Sequence, residues 1–176
     1  MTAYANVLAG DIIVASTIND IIAASLNSNI RRARRITAKT PITAEAGYLR
    51  LDDIPVIAGH TYRITTSNLT LDSTVNNEVG AARLRAVQSA TTGTAATTAS
   101  TQIGEMRSYQ SENTLADENV LTANWYPATN GFLSVLLSGI RITALGTFQF
   151  FASATAPVDL IVEHFSTDPG DTGISL

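Results

Sequence analysis

The side chains able to do chemistry in this chain are few and widely spaced. Its two histidines, His60 and His164, stand more than a hundred positions apart, one after Gly59 and one after Glu163. Two imidazoles and a carboxylate can hold a transition metal if folding unites them. The plainer expectation is two separate strand residues satisfied by hydrogen bonds. Acids are paired at Asp52–Asp53 and Asp117–Glu118. A glycosidase needs two carboxyls facing each other across a cleft, and neighbours in a turn or a polar loop do not predict one. Ser134 and Ser138 fall in an apolar stretch with no G-x-S-x-G around them. There is no glycine-rich strand-to-helix loop for a nucleotide. With no cysteine, thiolate zinc, iron–sulfur clusters, cysteine nucleophiles and disulfides are excluded. The expectation is a non-enzymatic protein without a cofactor.

The densest chemistry is cationic. Arg31, Arg32, Arg34 and Arg35 occupy four of five consecutive positions. Such a cluster can meet nucleic-acid phosphates, dock on an acidic protein surface, or simply end a helix in solvent. Nucleic acid is disfavoured, because no aromatic stacking platform accompanies the cluster and the rest of the chain is acidic. Residues 1–40 balance at +3 and residues 41–176 at −7, within a net charge of −4.

The elements that must position these residues divide at about residue 40. Thr17 and Asp20 give the T-x-x-D form of a capping box. Ile18, Ile21, Ile22, Leu26 and Ile30 then recur at three- and four-residue spacing, which predicts one amphipathic helix over 17–35. The arginines would close it at the negative end of the helix dipole. Its apolar stripe serves either as a lid on the core or as an assembly element. Ile18, Ile22, Leu26, Arg31, Arg32, Arg34 and Arg35 are therefore the candidate partner-binding residues.

After Pro41 the pattern is of short strands. Tyr48–Leu51, His60–Thr65, Leu69–Leu71, Val79–Val87 and segments near 103–109, 120–126, 132–142, 146–152 and 158–165 are the candidates. Asp52-Asp53 reads as a turn. The run 88–101 holds Ser, Thr, Ala and Gly with almost nothing larger and reads as a long surface loop. The fold class expected is all-β: an antiparallel, jelly-roll-like β-sandwich over 41–176, with an N-terminal arm and the single helix in 1–40.

The chain has 176 residues, 25 of them Ala, 24 Thr and 14 Ser, and only 15% are charged. A monomer surface usually carries more charge than that. Around 132–137 and 148–151 apolar residues also fall on both faces, which asks for a second covering surface. Both features point to a homo-oligomer. The apolar run at Ile12–Val14 is too short for a leader. No stretch reaches the roughly 18 apolar residues of a spanning helix, so no membrane role is expected.

Three segments carry a resemblance: Val7–Asn19; Gly47–Val56 continuing through Ala58–Ile64; and Leu71–Glu78. They resemble minor virion structural proteins of tailed bacteriophages of the actinobacterial type. That resemblance implies a capsid fibre, a decoration protein or a small tail component, found in the virion and made in the host cytoplasm. It implies a β-sandwich, commonly trimeric, attached by an N-terminal arm to major capsid or tail proteins. The alternative is a tail-associated or host-surface carbohydrate-binding module, with the 88–101 loop a candidate for receptor contact.

Overall fold

The computed structural model describes residues 30–73, 75–110 and 117–166. Among these residues there are twelve strands and no helix. They run β1 (Arg31–Arg35), β2 (Lys39–Ile42), β3 (Ala46–Val56), β4 (Thr61–Ser67), β5 (Leu69–Ser73) and β6 (Val79–Ser89). Then follow β7 (Thr101–Gln110), β8 (Asp117–Asn119), β9 (Thr122–Trp125), β10 (Gly131–Arg141), β11 (Phe148–Phe151) and β12 (Val158–Ser166).

All pairings are antiparallel and form three four-stranded sheets, β1-β12-β4-β9, β3-β10-β6-β7 and β2-β11-β5-β8. The first and third sheets use the same four ribbons in the same order. β1 continues into β2, β4 into β5, β8 into β9 and β11 into β12. One layer is thus broken across its middle. At the break Asn68 takes a φ of 52° between β4 and β5, and its side-chain amide donates to Pro157 O at 3.2 Å. There Thr66 N donates to Leu121 O and Leu121 N donates to the Thr66 hydroxyl, each at 2.9 Å. Opposite this layer lies β3-β10-β6-β7, an arrangement consistent with a β-sandwich.

Alternate residues along the strands make the core. Leu133, Val135 and Leu137 of β10 face Ile64, Leu160 and Val162 within one buried cluster that also contains Phe148 and Phe150. Each fully buried side chain of this size contributes about 1.5–3 kcal/mol. Gly80 and Gly139 make room for the two rings. A Cβ on Gly80 would stand 2.1 Å from Phe148 Cε2, and one on Gly139 2.4 Å from Phe150 Cε2.

The expected amphipathic helix is corrected by β1. Arg31–Arg35, placed at its last turn, are an extended strand paired with β12. In the strand Arg32 and Arg34, two apart, share one face and reach Asp159, while Ala33 and Arg35 take the other; that acid lies more than a hundred residues away in sequence. Ile18, Ile22 and Leu26 lie outside the described residues, as does the rest of 17–29. β1 and β2 carry residues 31–42 into the sheets.

One smaller expectation also changes, and another gains detail. Asp52-Asp53 is no hairpin turn: β3 runs through it, with Asp53 at φ 55° beside a register shift against β10. Such a bulge bends a strand without ending it. The 88–101 run begins as the end of β6 and from residue 90 is the expected surface loop, exposed at 90–94 and tied to the outer face of β10. Ser134 Oγ donates to Thr94 O at 2.7 Å, Gly93 N donates to Asp53 Oδ1 at 2.8 Å, and Ala96 is buried. The chain itself therefore covers part of the second face of β10.

Candidate functional site

On the β1-β12-β4-β9 sheet, the strand period turns Tyr62, Ile64, Leu160 and Val162 inward, so Arg63, Asn124 and Glu163 point outward. The register sets Arg63 between Asn124 on β9 and Glu163 on β12. A register shift between His164 and Ser166 re-aims Phe165, and the Arg63 guanidinium stands over its ring at 3.7 Å. Arg63 Nη1 also lies 3.8 Å from Glu163 Oε1. On the other side, Asn124 Nδ2 donates to the Tyr126 hydroxyl at 3.3 Å. Tyr126 is 60% exposed and Phe165 54%. Two open aromatic rings thus flank a guanidinium, a carboxylate and an amide on one face. Planar rings offer flat apolar surface and the polar trio offers donors and acceptors in fixed places, a combination suited to a ligand with an apolar face and many hydroxyls.

The arginine cluster is spent largely on the fold. Asp159, with 5% of its side chain exposed, accepts from Arg32 and from Arg34, and Ser67 Oγ adds a third contact at 3.3 Å. Its carboxylate raises the Arg32 pKa above the usual value, chiefly through their hydrogen bond. Arg35 donates to Tyr48 O at 2.8 Å and to Thr37 O at 3.1 Å, with its guanidinium 4.7 Å from the Tyr48 ring centre. Burial raises the Tyr48 pKa, with Arg35 opposing.

The candidate catalytic groups are similarly engaged. Asp52 accepts from Arg50 Nε at 2.7 Å. Ser134 accepts from Asp53 N and donates to Thr94 O. Ser138 donates to Glu45 Oε1 at 2.7 Å, and Glu45 also takes two hydrogen bonds from Arg85 at 2.7 and 2.8 Å and one from Arg83 at 3.3 Å. This network, absent from the sequence reading, holds the Glu45 carboxyl below its ordinary pKa, with the Arg85 hydrogen bond the leading cause and burial opposing. The alternation of Arg83 and Arg85 in β6 was its only sequence signal. The side chains of Asp117 and Glu118 lie outside the described residues.

The two histidines do meet. His60 Nδ1 lies 3.0 Å from His164 Nε2, with ring centres 4.9 Å apart and the Tyr62 ring tilted against His164 at 5.5 Å. Burial, then the neighbouring His164, lowers the His60 pKa. Among the described residues no group of three or more His, Cys, Asp or Glu is placed to hold a metal.

No protein-family model and no curated protein matches the chain. Among solved structures it is similar to the C-terminal domain of EclA, a sugar-binding protein. Identity there is 15% over 77% of this chain and 79% of that one, with a TM-score of 0.42. It is also similar to the C-terminal CBM6 of LamC, a marine laminarinase from Zobellia galactanivorans, at 11% identity over 75% and 98%, TM-score 0.30. A third similarity is to the VP2 subviral particle of infectious bursal disease virus, at 12% identity over 81% of this chain and 39% of that chain, TM-score 0.31. At this identity and superposition, none of them assigns a ligand or a partner to this chain.

Proposed function

We propose that the chain is a non-catalytic glycan-binding β-sandwich, working as a tail-associated or host-surface recognition module of a virion. One observation carries the reading: Tyr126 and Phe165 stand open beside Asn124, Arg63 and Glu163 on a single sheet face. The C–H face of a pyranose stacks on such rings, while its hydroxyls take hydrogen bonds from the guanidinium and the amide and give them to the carboxylate. Serines 134 and 138 and acids 45, 52 and 53 are held in structural pairs, so the reading assigns them no catalytic role. The virion setting rests on the sequence resemblance. A glycan array probed with the purified chain tests the reading: binding to a defined family of glycans supports it, and a blank array contradicts it.

A second reading is a capsid fibre or decoration protein, trimeric, whose role ends at contacts with other virion proteins. What favours it is the loop after β10, where Ile142 and Leu145 are at least half exposed. Ile18, Ile22 and Leu26 would serve its attachment. Mass photometry distinguishes it: a trimer that survives dilution and is weakened by Leu145→Ser supports this reading, and a monomer throughout counts against it.

A further inference from the structure

The chain's two histidines meet at one end of the sandwich, and the proposed glycan face uses neither of them. His60 precedes the first residue of β4, and His164 lies on β12 directly opposite Tyr62. Folding thus brings Nδ1 of one ring to 3.0 Å from Nε2 of the other. Two neutral imidazoles can hold that separation with one shared hydrogen bond. The same separation suits two nitrogens bound to one ion. With metal–nitrogen bonds of about 2.0–2.1 Å, it corresponds to an angle near 95°, roughly that of two adjacent corners of a square-planar or octahedral site. Imidazole donors in that arrangement suit Cu²⁺ and Ni²⁺.

We propose that His60 Nδ1 and His164 Nε2 form a two-imidazole site for a divalent ion of the Cu²⁺ or Ni²⁺ type. In the neutral pair one of the two facing nitrogens carries a proton. When the ion enters, that proton passes through solvent to the other nitrogen of the same ring, so both facing lone pairs are free and no net proton is released. With no third histidine, cysteine or carboxylate grouped there among the described residues, water fills the remaining positions. The ion would tie the turn before β4 to the end of β12, beside Phe165.

The composition makes the test clean. The chain has only these two histidines, no cysteine and one tryptophan. Trp125 lies opposite Tyr62, as His164 does from the other side, so it is two strand spacings, about 10 Å, from His164. Titrating the full chain with Cu²⁺ should quench Trp125 fluorescence saturably at one equivalent. In His60→Ala and in His164→Ala the apparent affinity should fall at least tenfold. Ni²⁺ should raise the melting temperature of the unsubstituted chain but of neither variant. Because a variant can fail to fold, electron paramagnetic resonance of the Cu²⁺-loaded unsubstituted chain provides a second reading, with coupling to two imidazole nitrogens expected. Non-saturating quenching, unchanged affinity in folded variants, or a Cu²⁺ spectrum without that coupling would each overturn the proposal and leave the pair as a hydrogen bond only. None of these outcomes depends on glycan binding.

Discussion

Arg34 on β1 lies directly opposite Asp159 on β12, and its guanidinium closes on the carboxylate through hydrogen bonds of 2.8 and 3.3 Å. Arg32 reaches the same carboxylate. An edge strand whose arginines are close to half exposed is therefore fastened to a buried acid, and the cluster acts first as a zip for β1.

That asymmetry of burial sets the mutational outcome. Arg32→Ala and Arg34→Ala should each lower the urea midpoint only slightly, because both guanidinium groups are close to half exposed and solvent screens the pair. The double variant should cost more than their sum, because it leaves the buried Asp159 with Ser67 alone. Urea unfolding of the four proteins measures the coupling. Strict additivity would show that Asp159 is hydrated independently of β1.

The Glu45 network predicts a pH dependence. Arg85 lowers the carboxyl's pKa in the folded protein, so the unfolded chain binds more protons as the solution is acidified. The stabilisation is complete above the unfolded value of about 4.3 and is lost as pH falls through the folded value. At neutral pH Glu45→Gln should cost about 1–3 kcal/mol. The gap between the two proteins should narrow on acidification, read from denaturant midpoints across the acid range. A gap constant down to the lowest pH would contradict the network.

Gly80 and Gly139 predict a steric result. Gly80→Ala and Gly139→Ala each push a methyl into a buried phenylalanine ring, and overpacking of this kind costs about 1–3 kcal/mol. Thermal unfolding should show the loss, and Phe150→Leu should relieve part of it in the Gly139 variant but not in the Gly80 variant. Equal relief in both would place the rings elsewhere.

Much of the β-layer was legible because burial writes a two-residue period into the sequence. The segment read as 158–165 is β12 at Val158–Ser166, and 132–142 is β10 at Gly131–Arg141. What escaped depends on partners distant in sequence. Arg31–Arg35 follow an isoleucine-rich stretch with helical spacing, and only Asp159 reveals them as a strand. The His60–His164 contact and the placing of Tyr126 and Phe165 on either side of Arg63 come from register across β9, β4 and β12. Glu45 reaches Arg83, Arg85 and Ser138 only because β3, β10 and β6 lie side by side. The 88–101 run gave no sign of its packing, since Ala96 is small and Gly93 and Thr94 meet the Asp53 and Ser134 side chains through main-chain atoms alone.

The proposed glycan face is tested most directly by calorimetric titration of an array-selected glycan into the chain and into its Tyr126→Ala and Phe165→Ala variants. Both side chains are more than half exposed, so the folded state should survive either change. Each substitution should weaken binding by about 1 kcal/mol or more, roughly fivefold. Affinity unchanged in both variants, with folding intact, would contradict a glycan site on this face.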